Sequence, residues 1–387
     1  MSKRSLKVAV IGAGMGGLTA AAALLKRGVD VQVYEQAEQF ARVGAGIQVS
    51  ANPMKVLRGL GLEDAVCRQA FWPEAYESRD GITGESTNSL TLGNDFEARH
   101  HAKHVLMHRG DLHSVLVSAV PAERIHLGKK FANLEQNAAG VTVKFSDGST
   151  TRADVVIACD GVHSAIRKEL LGEEDANYSG FISQRAVYPT SLLPADLLER
   201  MQEHHFIKWW GPDRHVVAYF VTSARDEIYF ATALRQEKWE SESWSALGDL
   251  GELRDAFSQF HPDIRTIINN CPKVFKLAIF ERQPLPRWAE GRVALLGDAA
   301  HPMTPYMAQG AAMALEDAVV LARCLTEEEL SVEDALKVYQ NTRIERTSKA
   351  QLISHKNTWL KYKEDSNWVY EYDAWTTPLA SRQTAVA

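Results

Sequence analysis

Leu6–Ile11 is a short run of apolar and β-branched residues that halts at Gly12-Ala13-Gly14-Met15-Gly16-Gly17, after which alanine and leucine recur at helical spacing to about Lys26. Asp30-Val31-Gln32-Val33-Tyr34 then returns to a strand pattern. The succession predicts strand, tight turn, helix and strand. Further helices are expected from Asn52 to Gly59, from His108-Arg109-Gly110-Asp111-Leu112 onward, and from Val162–Lys168. Val141–Phe145 and Ala153–Ala158 read as strands around an Asp147-Gly148 turn.

The period changes in the middle of the chain. Phe181–Tyr188, Phe206–Trp210, Val216–Val221, Glu227–Ala233 and Lys273–Phe280 are aromatic and β-branched runs with polar breaks, which fit antiparallel strands better than further crossover units. Arg292–Pro302 then resumes α/β character, and Pro305–Ala314 leads into a long helix carrying Glu316 and Asp317. Helices are expected from about 331 to 357, followed by Trp359, Tyr362, Trp368, Tyr370, Tyr372 and Trp375 as an aromatic clamp or subunit contact. The expected fold is α/β, with a Rossmann-like dinucleotide-binding domain joined to a substrate domain built on an antiparallel or mixed sheet, plus C-terminal helices. Its divisions are 1–179, with an embedded helical and loop segment near 45–105, then 180–285, then 286–387.

Composition narrows the class. The 387 residues carry 43 Lys and Arg against 49 Asp and Glu, a formal charge of -6, with no basic tract to follow a phosphate backbone, so nucleic acid is not an expected partner. The cysteines, Cys67, Cys159, Cys271 and Cys324, lack metal-ligand or redox-pair spacing, and no metal is expected. No apolar stretch of about 20 residues exists to span a bilayer, and the basic start Met1-Ser2-Lys3-Arg4 runs into a strand rather than a cleavable signal. A cytoplasmic protein without a membrane partner is expected.

The glycine run carries the clearest chemistry. Gly12 can adopt angles closed to side chains, Gly14 lets a pyrophosphate approach the backbone, and Gly17 lets helix and strand pack closely. Glu35, at the end of the second strand, can accept hydrogen bonds from an adenosine ribose. These features predict a bound dinucleotide without choosing between FAD and a nicotinamide nucleotide. Arg42 and Gly44-Ala45-Gly46-Ile47 form a second glycine-rich segment ahead of Gln48. Arg109 fits a cofactor contact or a surface ion pair, and Ser164 with Arg167 fits a phosphate contact or a helix cap. His215 and Tyr219 share one face of a strand, where they line a pocket or form a core pair. Trp209 and Trp210 point oppositely, so at most one meets a substrate ring. Asp298 ends a strand, and His301 reads as a turn residue or a base.

Gly12–Gly17, Cys159-Asp160-Gly161 and Gly297-Asp298 with its Pro305–Gly310 continuation resemble, in order and spacing over essentially the whole chain, the single-component FAD-dependent aromatic hydroxylases (class A flavoprotein monooxygenases). Gly44–Ile47, Lys208-Trp209-Trp210, Asp213-Arg214-His215, Met307–Gly310 and Trp368-Val369-Tyr370 are similar to the family's hydroxynicotinate-oxidising members. The resemblance implies FAD held by Gly12, Gly14, Gly17, Glu35, Arg42, Arg109, Asp160, Asp298, Gly310 and Ala311, with NADH or NADPH as a transient donor reacting from a surface groove. It implies a substrate site of Gln48, His215, Tyr219 and Tyr306, in which Gln48, His215 and Tyr219 serve catalysis. The partners would be dioxygen and a small hydroxylated aromatic or pyridine, and the chain would act as a monomer or homodimer.

The implied chemistry is hydroxylation through a flavin C4a-hydroperoxide, foremost the decarboxylative conversion of 6-hydroxynicotinate to 2,5-dihydroxypyridine. Two positions depart from those members: Gln48 and Tyr306 stand where they carry pocket histidines. Glutamine orients by hydrogen bonding but does not take a proton near neutral pH. The departures keep 6-hydroxy-3-succinoylpyridine and 4-hydroxybenzoate as alternative substrates. A flavin-binding protein without turnover is the remaining alternative.

Overall fold

Val8–Ile11 is buried on both faces of its strand, which is why the run is continuously apolar rather than alternating. In the computed structural model, which describes residues 6–42, 44–173, 176–203, 206–237, 239 and 246–381, the strand Lys7–Ile11 pairs in parallel with Asp30–Tyr34 and with Val155–Ala158. Ile125–His126 and Val293–Leu295 extend this parallel core on either side, and Ala289–Glu290 closes one edge antiparallel. The helix Met15–Lys26 lies against the helix Gly310–Leu325, where Gly16 lets it approach Leu296 and Ala314. The α/β core and its Rossmann-like strand–helix–strand start are as the sequence predicts. Residues Met1–Arg4 lie outside the described residues.

Two expectations are corrected. Ala153–Ala158 is not one strand: Thr150–Ala153 pairs antiparallel with Gly140–Phe145, whereas Val155–Ala158 enters the six-stranded sheet. Asp154 makes the break, its backbone N–H donating to the Lys7 carbonyl and its carboxylate accepting from the Lys7 N–H at 2.8 Å. The segment 45–105 is not only helix and loop either. It contains the strands Gly46–Val49, Ala75–Asp80, Ser86–Thr91 and Val105–His108. Ser86–Thr91 is an edge strand with no buried residue, so it carries no apolar alternation to read.

Those strands shape the second sheet. Its eight strands run Ala246–Leu247, Phe275–Glu281, Asn177–Pro189, Glu227–Arg235, His215–Phe220, Phe206–Trp210, Ala75–Asp80 and Ser86–Thr91 in spatial order. All neighbours are antiparallel except Phe206–Trp210 with Ala75–Asp80, so the sheet is mixed.

The C-terminal part closes the body through Gly310–Leu325, Val332–His355 and Asn367–Tyr370. The aromatic tail clamps the fold: Arg346 lies over Tyr372 at 4.0 Å from the ring centroid, and Trp375 donates to the Lys55 carbonyl. Among the described residues no helix is long and apolar enough to cross a membrane, and no acidic, histidine or cysteine cluster could hold a metal ion.

A buried polar network ties these helices together. Arg343 pairs with Glu316 at 2.8 Å and Asp317 at 2.7 Å, Arg346 pairs with Glu316, and His301 meets Asp317 at 2.6 Å. Asn52 donates to both Glu316 and Gln309, and Gln309 donates to Ser50. His301 is thus a structural partner of Asp317 and does not line the cavity described below. Burial pushes both acids up, but the cations and hydrogen bonds outweigh it and hold each below its ordinary range.

A group depressed in the folded state contributes stability that is complete above its unfolded pKa of about 4 and is lost as pH falls through the folded value. The thermal midpoint of the wild type is therefore expected to fall steeply below about pH 4, and Glu316→Gln to lower the midpoint at pH 7 while flattening that acid slope. Parallel slopes for the two proteins would remove Glu316 from this role.

Candidate active site

At the end of the first strand Gly12 turns with φ +104°, and a Cβ there would overlap the Cys159 carbonyl oxygen. A Cβ on Gly17 would overlap the Gly12 carbonyl, so the helix can seat on the strand only with glycine at this position. Gly14 is different: among the described residues no atom beyond the adjoining chain lies within 4 Å of where its Cβ would be, and it borders a cavity of about 420 Å³ together with Met15 and Gly16. No side chain caps the helix at Gly14, leaving first-turn N–H groups free for an anion. A backbone cradle open only at Gly14 fits a pyrophosphate.

The cavity runs between the two sheets. Gly310 and Ala311, opening the helix Gly310–Leu325 without a side-chain cap, line it from one side. The preceding Ala308 takes a left-handed φ of +54° to turn the chain there. Arg109, first residue of the helix Arg109–Ser118, and Asp298 both face the cavity. Each is open to that space but enclosed by protein, so burial lowers Arg109 and raises Asp298 relative to their ordinary pKa values. Donors, an acid and a helix amino terminus are what the polar half of a flavin dinucleotide requires.

Four expected cofactor residues stand behind the cavity wall. Gly12 and Gly17 shape the turn without lining it. Glu35 accepts from the Ala13 N–H at 2.7 Å and the Ala37 N–H at 2.9 Å, holding the loops beside the cradle. Asp160 accepts from Ser164 Oγ and the Ile166 N–H, and Ser164 caps the helix Ala165–Leu171, so its neighbours Cys159 and Gly161 are the ones that reach the cavity. Arg167 is buried and donates to the Ala299 and Val162 carbonyls, so that Ser164 serves as a helix cap and Arg167 as a brace, and neither lines the cavity. Arg42 is not brought to the cavity. It forms ion pairs with Asp111 at 2.7 Å and Glu227 at 2.6 Å near the surface, because both acids present complementary oxygens to its fork.

Opposite the cradle, one face of the eight-stranded sheet supplies the other wall. His215, Val217 and Tyr219 alternate along one strand, Tyr229 and Ala231 along the next, and all five line the cavity. Gln48 enters from Gly46–Val49, and Tyr306 from the turn before Gly310. Tyr219 Oη is so close to Gly46 that an added Cβ would stand 2.8 Å from it. The His215 and Tyr306 rings meet edge-on at 5.5 Å.

Burial, with Lys208 and Lys361 nearby, keeps His215 well below its ordinary pKa, so its imidazole is neutral and can accept a hydrogen bond. Burial also pushes the Tyr219, Tyr229 and Tyr306 phenols up, keeping them as donors. Among the described residues, Tyr306 Oη and both ring nitrogens of His104 are buried without a hydrogen-bond partner beside the cavity, a pattern that a polar ligand would complete.

Sequence reasoning missed several lining residues. Lys208 and Phe206 share the cavity-facing side of Phe206–Trp210, while neither Trp209 nor Trp210 lines it. A lysine within an otherwise apolar strand was the available signal. His104, Tyr76, Leu90, Trp359, Leu360 and Tyr370 extend the cavity into an aromatic end. They come from two strands, the segment before a third and the C-terminal part of the chain, and no local pattern joins them.

The FAD-binding-domain family model matches residues 5–352. The chain is 44% identical over 385 residues to 6-hydroxynicotinate 3-monooxygenase of Pseudomonas fluorescens, covering 99% of both chains. It is a single-component FAD-dependent aromatic hydroxylase. The hydroxylase from Bordetella bronchiseptica that carries the same name as the Pseudomonas enzyme is 41% identical over 389 residues, covering 98% of this chain and 99% of that one. A salicylate hydroxylase substrate complex superimposes with TM-score 0.82 at 27% identity, covering 100% and 99% of the two chains. Klebsiella pneumoniae HpxO complexed with FAD and uric acid does so with TM-score 0.80 at 28% identity, covering 99% and 93%. FAD is the hydroxylase's cofactor and NAD(P)H its electron donor.

Proposed function

We propose that this hydroxylase acts on 6-hydroxynicotinate, delivering one oxygen atom of dioxygen to the carboxylate-bearing ring carbon. The carbon–carbon bond breaks, carbon dioxide leaves, the other oxygen departs as water, and the ring becomes 2,5-dihydroxypyridine. The observation that carries this reading is identity above 40% along the full length to two enzymes named for that substrate. FAD, when bound, passes electrons from NAD(P)H and activates dioxygen. Gly14, Arg109, Asp298, Gly310 and Ala311 would hold it, on a turn shaped by Gly12 and Gly17 and braced by Glu35 and Asp160. The domains would divide at 1–179, 180–285 and 286–387.

In this reading Tyr219 donates to the ring oxygen and aligns it, neutral His215 accepts from the substrate, and Gln48 and Tyr306 orient the ring. The aromatic part of the wall, Phe206, Tyr219, Tyr229 and Tyr306, would limit water at the reacting centre once substrate fills the space. Tyr219→Phe is expected to lower kcat/KM for substrate-stimulated NAD(P)H oxidation by about 10–100-fold, the size of one hydrogen bond to an ionised oxygen, with FAD retention unchanged. Equal loss of FAD would make Tyr219 structural.

The aromatic end at Tyr76, His104 and Trp359, together with Gln48 and Tyr306, favours a second reading in which a longer substituent is displaced, as from 6-hydroxy-3-succinoylpyridine, or another phenol such as 4-hydroxybenzoate is hydroxylated. NADH and NADPH oxidation with product mass analysis against the three compounds decides. Formation of 2,5-dihydroxypyridine from 6-hydroxynicotinate supports the first reading, and coupled oxidation with only another ring replaces it.

A further inference from the structure

Lys208 sits in the middle of the strand Phe206–Trp210 and is only 5% exposed, yet it lines the cavity. Its cross-strand neighbours are Val217 on one side and Ser78 on the other, neither of them charged. Its ammonium group lies 4.0 Å from the Trp210 ring centroid, and that of Lys361 lies 5.3 Å from the same ring. No carboxylate pairs with Lys208 among the described residues.

Acids on the adjoining strand and in the segment after Lys361 are engaged elsewhere. Glu77 pairs with Arg79, Asp80 accepts from the Ile82 and Thr83 N–H groups, and Glu364 accepts from the Leu360 N–H. The titratable side chains that share the cavity wall with Lys208 include His215, which is neutral, and the phenols of Tyr76 and Tyr219, none of which supplies a negative charge.

A buried ammonium without a counter-charge is unfavourable, so the group either gives up its proton more readily or pairs with an anion from outside the protein. Burial and the nearby Lys361 lower Lys208 to about 7, so an arriving carboxylate would draw the proton back onto it.

We propose, resting on the hydroxylase reading above, that the Lys208 ammonium binds the carboxylate of an aromatic acid substrate and selects acids over their neutral analogues. Lys208, His215 and Tyr219 then hold three points of one ring: the acid group, a ring edge and the ring oxygen. Because the carboxylate is paired in the ground state, Lys208 acts on binding more than on the chemical step.

The test titrates FAD-loaded wild type, Lys208→Met and Lys208→Gln with 6-hydroxynicotinate and 6-hydroxynicotinamide, and with 4-hydroxybenzoate and 4-hydroxybenzamide, following the flavin absorbance change. The wild type is expected to favour at least one acid over its amide by about 10–100-fold, the range of a charge-assisted hydrogen bond in a dry site. Both variants are expected to lose that preference while binding the amide within about 3-fold of wild type, and KM for the acid is expected to rise much more than kcat falls.

Equal weakening of acid and amide in both variants, or no acid preference in the wild type, overturns the proposal. Acid preference that depends on Lys208, with no 2,5-dihydroxypyridine formed from 6-hydroxynicotinate, supports it and removes only the substrate reading.

Discussion

Gly17→Ala is expected to yield a protein that does not retain FAD and is destabilised by at least about 3 kcal/mol. The added Cβ would overlap the Gly12 carbonyl and press on the Cys159 side chain, and neither the turn nor the strand behind it can yield as a flexible side chain would. The helix Met15–Lys26 would have to lift from the sheet, taking with it the free N–H groups at its start. Gly14→Ala is the contrast. It meets no protein atom and should fold normally, but its methyl points into the space a pyrophosphate would fill, so FAD affinity should fall. The flavin-to-protein absorbance ratio after gel filtration, together with thermal midpoints, separates the two. FAD retained by a stable Gly17→Ala protein would refute the packing argument.

Arg343→Leu is expected to destabilise the holoenzyme by about 3–5 kcal/mol, because Glu316 and Asp317 would remain buried with much of their counter-charge gone. Adding Glu316→Gln should recover part of that loss, since the penalty lies in the stranded charge rather than in the lost contact. The effect should also reach the cavity. Glu316 holds Asn52, Asn52 holds Gln309, and Gln309 precedes the helix residues Gly310 and Ala311. Thermal unfolding of the wild type, the single variant and the double variant measures it. Additive effects of Arg343→Leu and Glu316→Gln would show that the two side chains do not act as a pair.

The glycine turn, the first helix and the paired strands on either side were readable because each is encoded over a few neighbouring residues: a period, a break, a residue free to take positive φ. The same holds for His215 and Tyr219, whose spacing alone puts both on one face of a strand, and for Asp298 and Gly310 on either side of a strand-to-helix turn. Arg42 shows the limit. Its place just before a glycine-rich loop predicts its neighbourhood, but Asp111 and Glu227, distant in sequence, decide where its guanidinium goes in this structure. Ala75–Asp80 shows another, since its membership of the eight-stranded sheet depends on pairing with a strand more than a hundred residues later.

The sequence by itself thus determined an α/β chain with a dinucleotide cradle, a strand wall bearing histidine and tyrosine, and the family to which those motifs belong. Only the tertiary structure decided which side chains share the cavity, that Lys208 and His104 border it, that Trp209 and Trp210 do not, and that His301 braces a helix. Local patterns report the conformation of one segment and which of its faces is apolar. Which polar group on a buried face finds a partner, and which is left facing a cavity, depends on segments that meet only when the chain has folded.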